Sequence, residues 1–130
     1  MNKVVNIPVD SCILEGTLTV PNDSNAVIIF AHGSGSNRLS KRNIYLASFL
    51  HNSNLGTLLF DLLTSEESAV EKNRFNISLL SNRLKKVTEW FIEYTKPKKI
   101  KIGYFGASTG AAASIEAACM LNKDTISAIV

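Results

Sequence analysis

Gly106-Ala107-Ser108-Thr109-Gly110 is the segment whose residue types and spacing could most directly do chemistry. It is a G-x-S-x-G pentapeptide. It follows the apolar run Ile100–Phe105 (IKIGYF) and leads into an alanine-rich stretch from Thr109 to Leu121. A strand, a sharp turn and a helix in that order lift a serine Oγ above a sheet, where it can act as a nucleophile. Gly106 and Gly110 leave out side chains where strand and helix crowd together. The helix N-terminus behind Ser108 favours negative charge, and the backbone N–H of Thr109 can point at an oxyanion. The pentapeptide alone is a weak signal, since a glycine-rich turn with a capping serine reads the same way; the strand before it and the small-residue helix after it sharpen it.

A second element supports this reading. The run Ala26–Ala31 (AVIIFA) passes straight into His32-Gly33-Ser34-Gly35-Ser36-Asn37-Arg38. A His-Gly segment after such a strand is where serine enzymes with this turn take a second oxyanion N–H, and the backbone of Ser34 is the expected donor, with Gly33 as a motif glycine. His32 is expected to shape the loop rather than to act as general base. His51, near a helix end, is expected to face solvent. Asp61 is expected to fix its own loop, and Glu66 and Glu67 to decorate a helix N-terminus. His32, His51, Cys12 and Cys119 have no metal-ligand spacing, so no metal is expected, and no cofactor.

The elements that must hold these residues follow from periodicity. AVIIFA, Gly56–Phe60 (GTLLF) and IKIGYF are short, apolar and bounded by breakers, as strands buried on both faces are. Thr125–Val130 (TISAIV) is a fourth run. Val4–Val9 and Cys12–Val20 are extended, with Asp10-Ser11 as a turn, which predicts a hairpin. Ile44, Ala47 and Leu50 with Tyr45 and Phe49 predict one apolar helical stripe. Ile77, Leu80, Leu84, Val87, Phe91 and Tyr94 recur at spacings of 3, 4, 3, 4 and 3, an amphipathic helix. Strands alternating with helices mean an α/β fold with a mainly parallel sheet and helices on both faces.

The 130 residues allow one domain, 1–130. With 45% hydrophobic and 19% charged residues the composition is globular. The net charge is +3, and basic residues are concentrated in Arg83-Leu84-Lys85-Lys86 and Lys96–Lys101, which are expected to be solvated surfaces; no basic stripe with interleaved aromatics suggests nucleic acid. Cys12 and Cys119 read as small buried residues in a reducing compartment. No run reaches the roughly 18 apolar residues of a membrane span, and Met1–Asp10 has no signal-peptide core, so a cytoplasmic location is expected. Gly103-x-x-Gly106-x-x-x-Gly110 and HGSGS superficially suggest a nucleotide or phosphate cradle, but neither G-x-G-x-x-G nor GK[ST] is present.

Three stretches, VIIFAHGSGSNR (27–38), GTLLFDLLTSEE (56–67) and KIGYFGASTGAAAS (101–114), resemble the dienelactone-hydrolase-like α/β hydrolases, especially those also found joined to phosphoribosyltransferase domains. The likeness runs from the hairpin to the last strand. It implies the strand order 1-2-4-3-5-6-7-8, which sets the strand before His32 beside the strand before Ser108. It implies Ser108 as nucleophile, at a position where some members have cysteine, and Thr109 and Ser34 as oxyanion donors. The family's acid and histidine follow later strands, and only 22 residues remain after Ser108, without a histidine.

The expectation is therefore a serine hydrolase of an ester, thioester or lactone, truncated after about the sixth strand. It would be a fragment, an interrupted gene product or half of an assembly. A non-catalytic pseudoenzyme or fragment and a nucleotide-binding α/β protein are the alternatives. The bare strand at Thr125–Val130 is expected to self-associate or to take a completing chain.

Overall fold

The computed structural model describes residues 2–130. The first two strands, β1 (Asn2–Val9) and β2 (Cys12–Thr19), form an antiparallel hairpin closed by Asp10 at φ 53°. Then come β3 (Ala26–Ala31), helix α1 (Lys41–Asn52) and β4 (Gly56–Phe60). Two single-turn helices follow, α2 (Ser65–Ser68) and α3 (Glu71–Arg74), and after them the long α4 (Ile77–Thr95). The chain continues through β5 (Lys101–Gly106), α5 (Thr109–Met120) and β6 (Ile126–Ile129). One six-stranded sheet results, in the order β1-β2-β4-β3-β5-β6. Strands β4, β3, β5 and β6 run parallel, and β2 pairs antiparallel with β4.

The three apolar runs form the centre because both their faces are covered. All five residues of β4 are buried. From β3, Val27, Ile29 and Ala31 enter the main core with Leu80, Leu84, Val87 and Phe91 of α4 and Ala113 and Ala117 of α5. Phe30, between them in the strand, turns to the other face and meets Ala47 of α1 and Leu59. Alternation along one strand thus places α4 and α5 on one side of the sheet and α1 on the other. Deep in the main core the hydroxyls of Thr88 and Tyr104 pair at 2.5 Å, satisfying two polar groups.

Three expectations are corrected by the structure. On α1 the buried positions are Asn43 and Ala47, with Leu46 and Leu50 partly buried, whereas Ile44, Tyr45 and Phe49 are exposed. The helix docks through the row 43, 47, 50, so the apolar residues beside that row point away from the sheet. Cys119 is exposed rather than buried, and Cys12 only partly buried. Arg83 is not a surface charge: it is buried, because Glu67 and the carbonyl of Leu62 receive its guanidinium. Thr125–Val130 is the bare edge strand that its sequence predicts: β6 has four residues, pairs with β5 alone and is largely exposed. Among the described residues no helix is long and apolar enough to cross a membrane.

Candidate active site

Parallel pairing of β3 with β5 runs from Ala26↔Lys101 to Ala31↔Gly106, so both strands end at the same level. The loop that begins at His32 and the turn that holds Ser108 therefore emerge side by side. At that turn Ala107 N–H donates to the carbonyl of Ala31, which ties the two strand ends together at 3.2 Å. Ser108 has φ 56° and ψ −120°, a backbone conformation that costs an L-residue energy and persists only where its surroundings enforce it. The next residue, Thr109, opens α5, and Ala111 N–H reaches back to Ser108 O at 2.9 Å.

The enforcement comes from two glycines. A Cβ on Gly106 would lie 2.5 Å from Gly110 O and 2.7 Å from Ala111 Cα. A Cβ on Gly110 would lie 2.0 Å from Ala31 O and 2.7 Å from His32 O. Strand and helix can approach this closely only with hydrogen at both positions, and that approach bends Ser108 into the left-handed region. Ser108 is exposed and makes no side-chain cap to α5, so its hydroxyl is free of the ordinary N-cap role. The neighbouring Thr109 Oγ1 is buried without a hydrogen-bond partner.

The His-Gly loop lies against this turn. A Cβ on Gly33 would meet Ala107 O at 3.1 Å and the Ser108 Cβ at 3.4 Å. Ser34, the next residue, is partly buried. The structure thus brings Gly33, Gly106, Ser108 and Gly110 together at the carboxyl ends of β3 and β5, with Ser34 and Thr109 each one residue away from this group. It does not bring either histidine to Ser108 as a free base. Both nitrogens of His32 are engaged: Nδ1 meets Gly33 O at 2.9 Å and Nε2 accepts from Leu62 N–H at 3.0 Å. These partners require the proton on Nδ1. Burial lowers the His32 pKa from its ordinary value, which keeps the ring neutral. His51 is not simply solvent-facing: its Nε2 pairs with Thr57 Oγ1 at 2.8 Å, and its pKa is lowered, burial being the largest cause.

Several polar residues that sequence reading gave smaller roles gather beside this site. Asp61 does not fix its own loop alone. It accepts from Arg38 N–H at 2.8 Å and from the Arg38 guanidinium at 2.5 Å, and the same guanidinium reaches Glu15 at 2.8 Å. Glu67 closes a reciprocal capping box with Thr64 and also receives two bonds from Arg83 at 2.8 and 2.6 Å. The hydrogen bond from Arg83 is the main reason the Glu67 carboxyl falls to about 2. A cavity of about 320 Å³ opens between His32, Arg38, Asp61, Ser65 and Arg74. The signal for the Asp61–Arg38 pair was topological: once β4 lies beside β3, the residue that follows β4 must meet the loop that follows β3.

No protein-family model matches the chain. The dienelactone hydrolase of Anabaena variabilis superposes with a TM-score of 0.91 at 41% identity, over 99% of this chain and 61% of that one. An esterase of Pyrococcus furiosus superposes with a TM-score of 0.71 at 23% identity, over 99% of this chain and 49% of the esterase. A Mycobacterium tuberculosis protein that bears the name of a phosphoribosyl transferase is 50% identical over 103 residues, 79% of this chain. Those residues span about a quarter of that relative, 23% of its length. The fold is that of the α/β hydrolases. Within that class the chain is of the dienelactone-hydrolase-like type, on its likeness to the Anabaena protein.

Proposed function

We propose that this chain carries the nucleophile and the oxyanion hole of a serine hydrolase acting on a carboxylic ester, thioester or lactone. The observation that carries this reading is Ser108 at φ 56°, exposed at the end of β5, with the His-Gly loop packed against it. Ser108 Oγ attacks the carbonyl carbon, and the backbone N–H groups of Thr109 and Ser34 hold the oxygen that becomes negative. Expulsion of the alcohol, thiol or ring oxygen leaves an acyl-serine, which water hydrolyses.

The proton on Ser108 must go to a base, and neither His32 nor His51 is placed to take it. The histidine, and an aspartate to orient it, are supplied by residues outside these 130. The exposed edge of β6, with Ile129 and Val130 on it, is where a completing chain or segment adds to the sheet. Without one, this edge leads to self-association. The phosphoribosyl transferase name belongs to a relative more than four times the length of the matched segment, and the serine turn fits acyl chemistry better than it fits a phosphate cradle.

The test is p-nitrophenyl acetate turnover and fluorophosphonate labelling. Both are measured on the chain, on Ser108→Ala, and on the chain mixed with a complementing fragment that carries the aspartate and histidine. Labelling and turnover are expected only in the mixture, and both are lost in Ser108→Ala. A site without its base keeps at most about 10³–10⁴-fold catalysis over water. A complemented protein that folds but leaves Ser108 unlabelled would overturn the reading. Strong turnover by the chain alone would mean that one of its own histidines is the base.

A further inference from the structure

We propose that Asp61 is a positioning residue for the loop that carries Ser34, acting through Arg38, with His32 as a second fastener; the role rests on the hydrolase reading above. From His32 to Ser40 the chain forms no regular element, and its own backbone bonds there are turns, Ser36 N–H to Gly33 O and Ser40 N–H to Asn37 O. Gly33 and Gly35 add conformational freedom to this stretch. An oxyanion donor works only if it is held in place before the reaction, and a displacement of about 1 Å can cost roughly 10²-fold in rate. The loop therefore needs fastening from outside.

Two adjacent residues beyond the end of β4 supply it, one for each end of the loop. At the distal end, Asp61 takes the Arg38 backbone N–H on Oδ1 at 2.8 Å and the guanidinium on Oδ2 at 2.5 Å. One carboxylate thus grips both the main chain and the side chain of a single residue, which fixes orientation as well as distance. The two side chains are 24% and 20% exposed, so the pair is not the freely solvated kind that contributes little. Asp61 is itself anchored: its N–H donates to Glu15 O at 3.0 Å, and the Glu15 carboxylate holds the other guanidinium nitrogen. At the proximal end, Leu62 N–H donates to His32 Nε2, whose ring is locked by the bond to Gly33 O. Ser34 lies between these fasteners.

The test uses the full 130-residue chain, followed by amide solvent exchange and ¹⁵N spectra of the imidazoles. His32 is expected as a single tautomer protonated on Nδ1. In Asp61→Ala the amides of residues 33–38 exchange about tenfold faster or more, the loss expected for a charge-assisted bond. The amides of Ile29 and Tyr104, in the sheet below, keep their rates. Asp61→Asn retains an oxygen for the Arg38 N–H and restores part of the protection. The rate of fluorophosphonate labelling of Ser108 in the complemented protein follows the same ranking. Unchanged loop exchange in a folded Asp61→Ala, or loop and sheet amides accelerating together, would overturn the proposal, as would His32 protonated on Nε2. If Ser108 stays unlabelled in every variant, the hydrolase reading falls, while the exchange rates still decide whether Asp61 holds the loop.

Discussion

The turn after β5 and the loop after β3 meet at the same end of the sheet, yet they are built by opposite means. The Ser108 turn is made by backbone. Two glycines let β5, α5 and the end of β3 touch, and the strain at Ser108 follows from that contact. The loop from His32 to Arg38 is made by side chains. His32, Arg38, Asp61 and, behind them, Glu67 and Arg83 hold a segment that has little internal bonding of its own. A backbone-made turn fails as a whole when one atom is added, whereas a loop held by side chains loosens in steps.

The largest expected effect is therefore at Gly110. In Gly110→Ala the new methyl would meet two backbone oxygens at the end of β3, 2.0 Å from Ala31 O and 2.7 Å from His32 O, and neither can swing away as a flexible side chain could. We expect a loss of about 3 kcal/mol or more, at the upper end of overpacking costs, measured by urea unfolding. A loss below about 1 kcal/mol would show that the turn yields easily and that its strain is not enforced.

Next comes the outer support of the side-chain-held loop. Arg83 bonds Glu67 and reaches Leu62 O at 3.4 Å, and Leu62 is the residue that donates to His32. Glu67 is held at about 2, against 4.5 for an unperturbed carboxyl. Its folded value lies below its unfolded one. The stabilisation it gives is therefore complete above about 4.5 and drains away as the pH falls towards 2. Arg83→Met is expected to cost about 2 kcal/mol at pH 7, since Glu67 is partly open to solvent. It should also abolish this acid dependence. A variant that keeps the wild-type acid profile would assign the dependence to another carboxyl.

A smaller effect is expected at His32. Its pKa lies below the ordinary value because burial penalises the charged ring. The neutral ring's contribution is therefore full above the unfolded value of about 6.5 and declines as the pH falls below it. Protonation would turn Nε2 into a donor facing the Leu62 N–H. His32→Ala should cost about 1.5 kcal/mol at pH 7, mostly from the unsatisfied Leu62 N–H. The loop amides should exchange faster in wild type at pH 5 than at pH 7.5, beyond the intrinsic change, while in His32→Ala they should not. Identical behaviour in both proteins would remove His32 from the loop's support.

The same contrast decides what was legible in the sequence. The strands showed because a run buried on both faces is apolar throughout, as in AVIIFA and GTLLF, and the serine turn showed because only glycine tolerates its close approaches. Backbone requirements leave a local mark. The side-chain support did not show, because Asp61 and Arg38 are 23 residues apart and become partners only when β4 lies beside β3. Arg83 read as a surface charge because a charged residue on an amphipathic helix normally is one, and its partner Glu67 lies in a separate short helix. The apolar stripe on α1 failed for a related reason. Asn43 occupies a buried position that local hydrophobicity assigns to Ile44, and docking against the sheet decides which row of the helix faces inward.

The smallest effect tests the comparison most closely, because it uses the same substitution as the largest. Gly35 lies within the loop at φ 75°, and a Cβ added there meets nothing within 4 Å. Gly35→Ala therefore creates no collision. Its cost is only the left-handed backbone, about 1–2 kcal/mol for an L-residue, partly offset because alanine has less freedom to lose from the unfolded chain. A net loss of about 1 kcal/mol or less is expected. Gly35→Asn should lose less still, since asparagine visits this region more readily. Urea unfolding of Gly35→Ala, Gly35→Asn and Gly110→Ala under one set of conditions gives the ratio directly. If Gly35→Ala proves as costly as Gly110→Ala, the loop is as rigidly specified by its backbone as the serine turn, and side chains are not what holds it. If the asparagine variant is the worse of the two, the cost at Gly35 comes from contacts rather than from φ. The expected ranking, Gly110→Ala far above Gly35→Ala and Gly35→Ala above Gly35→Asn, places the rigidity of this site in the turn that holds Ser108 and leaves the facing loop to be tightened or released by Asp61, Arg38 and His32.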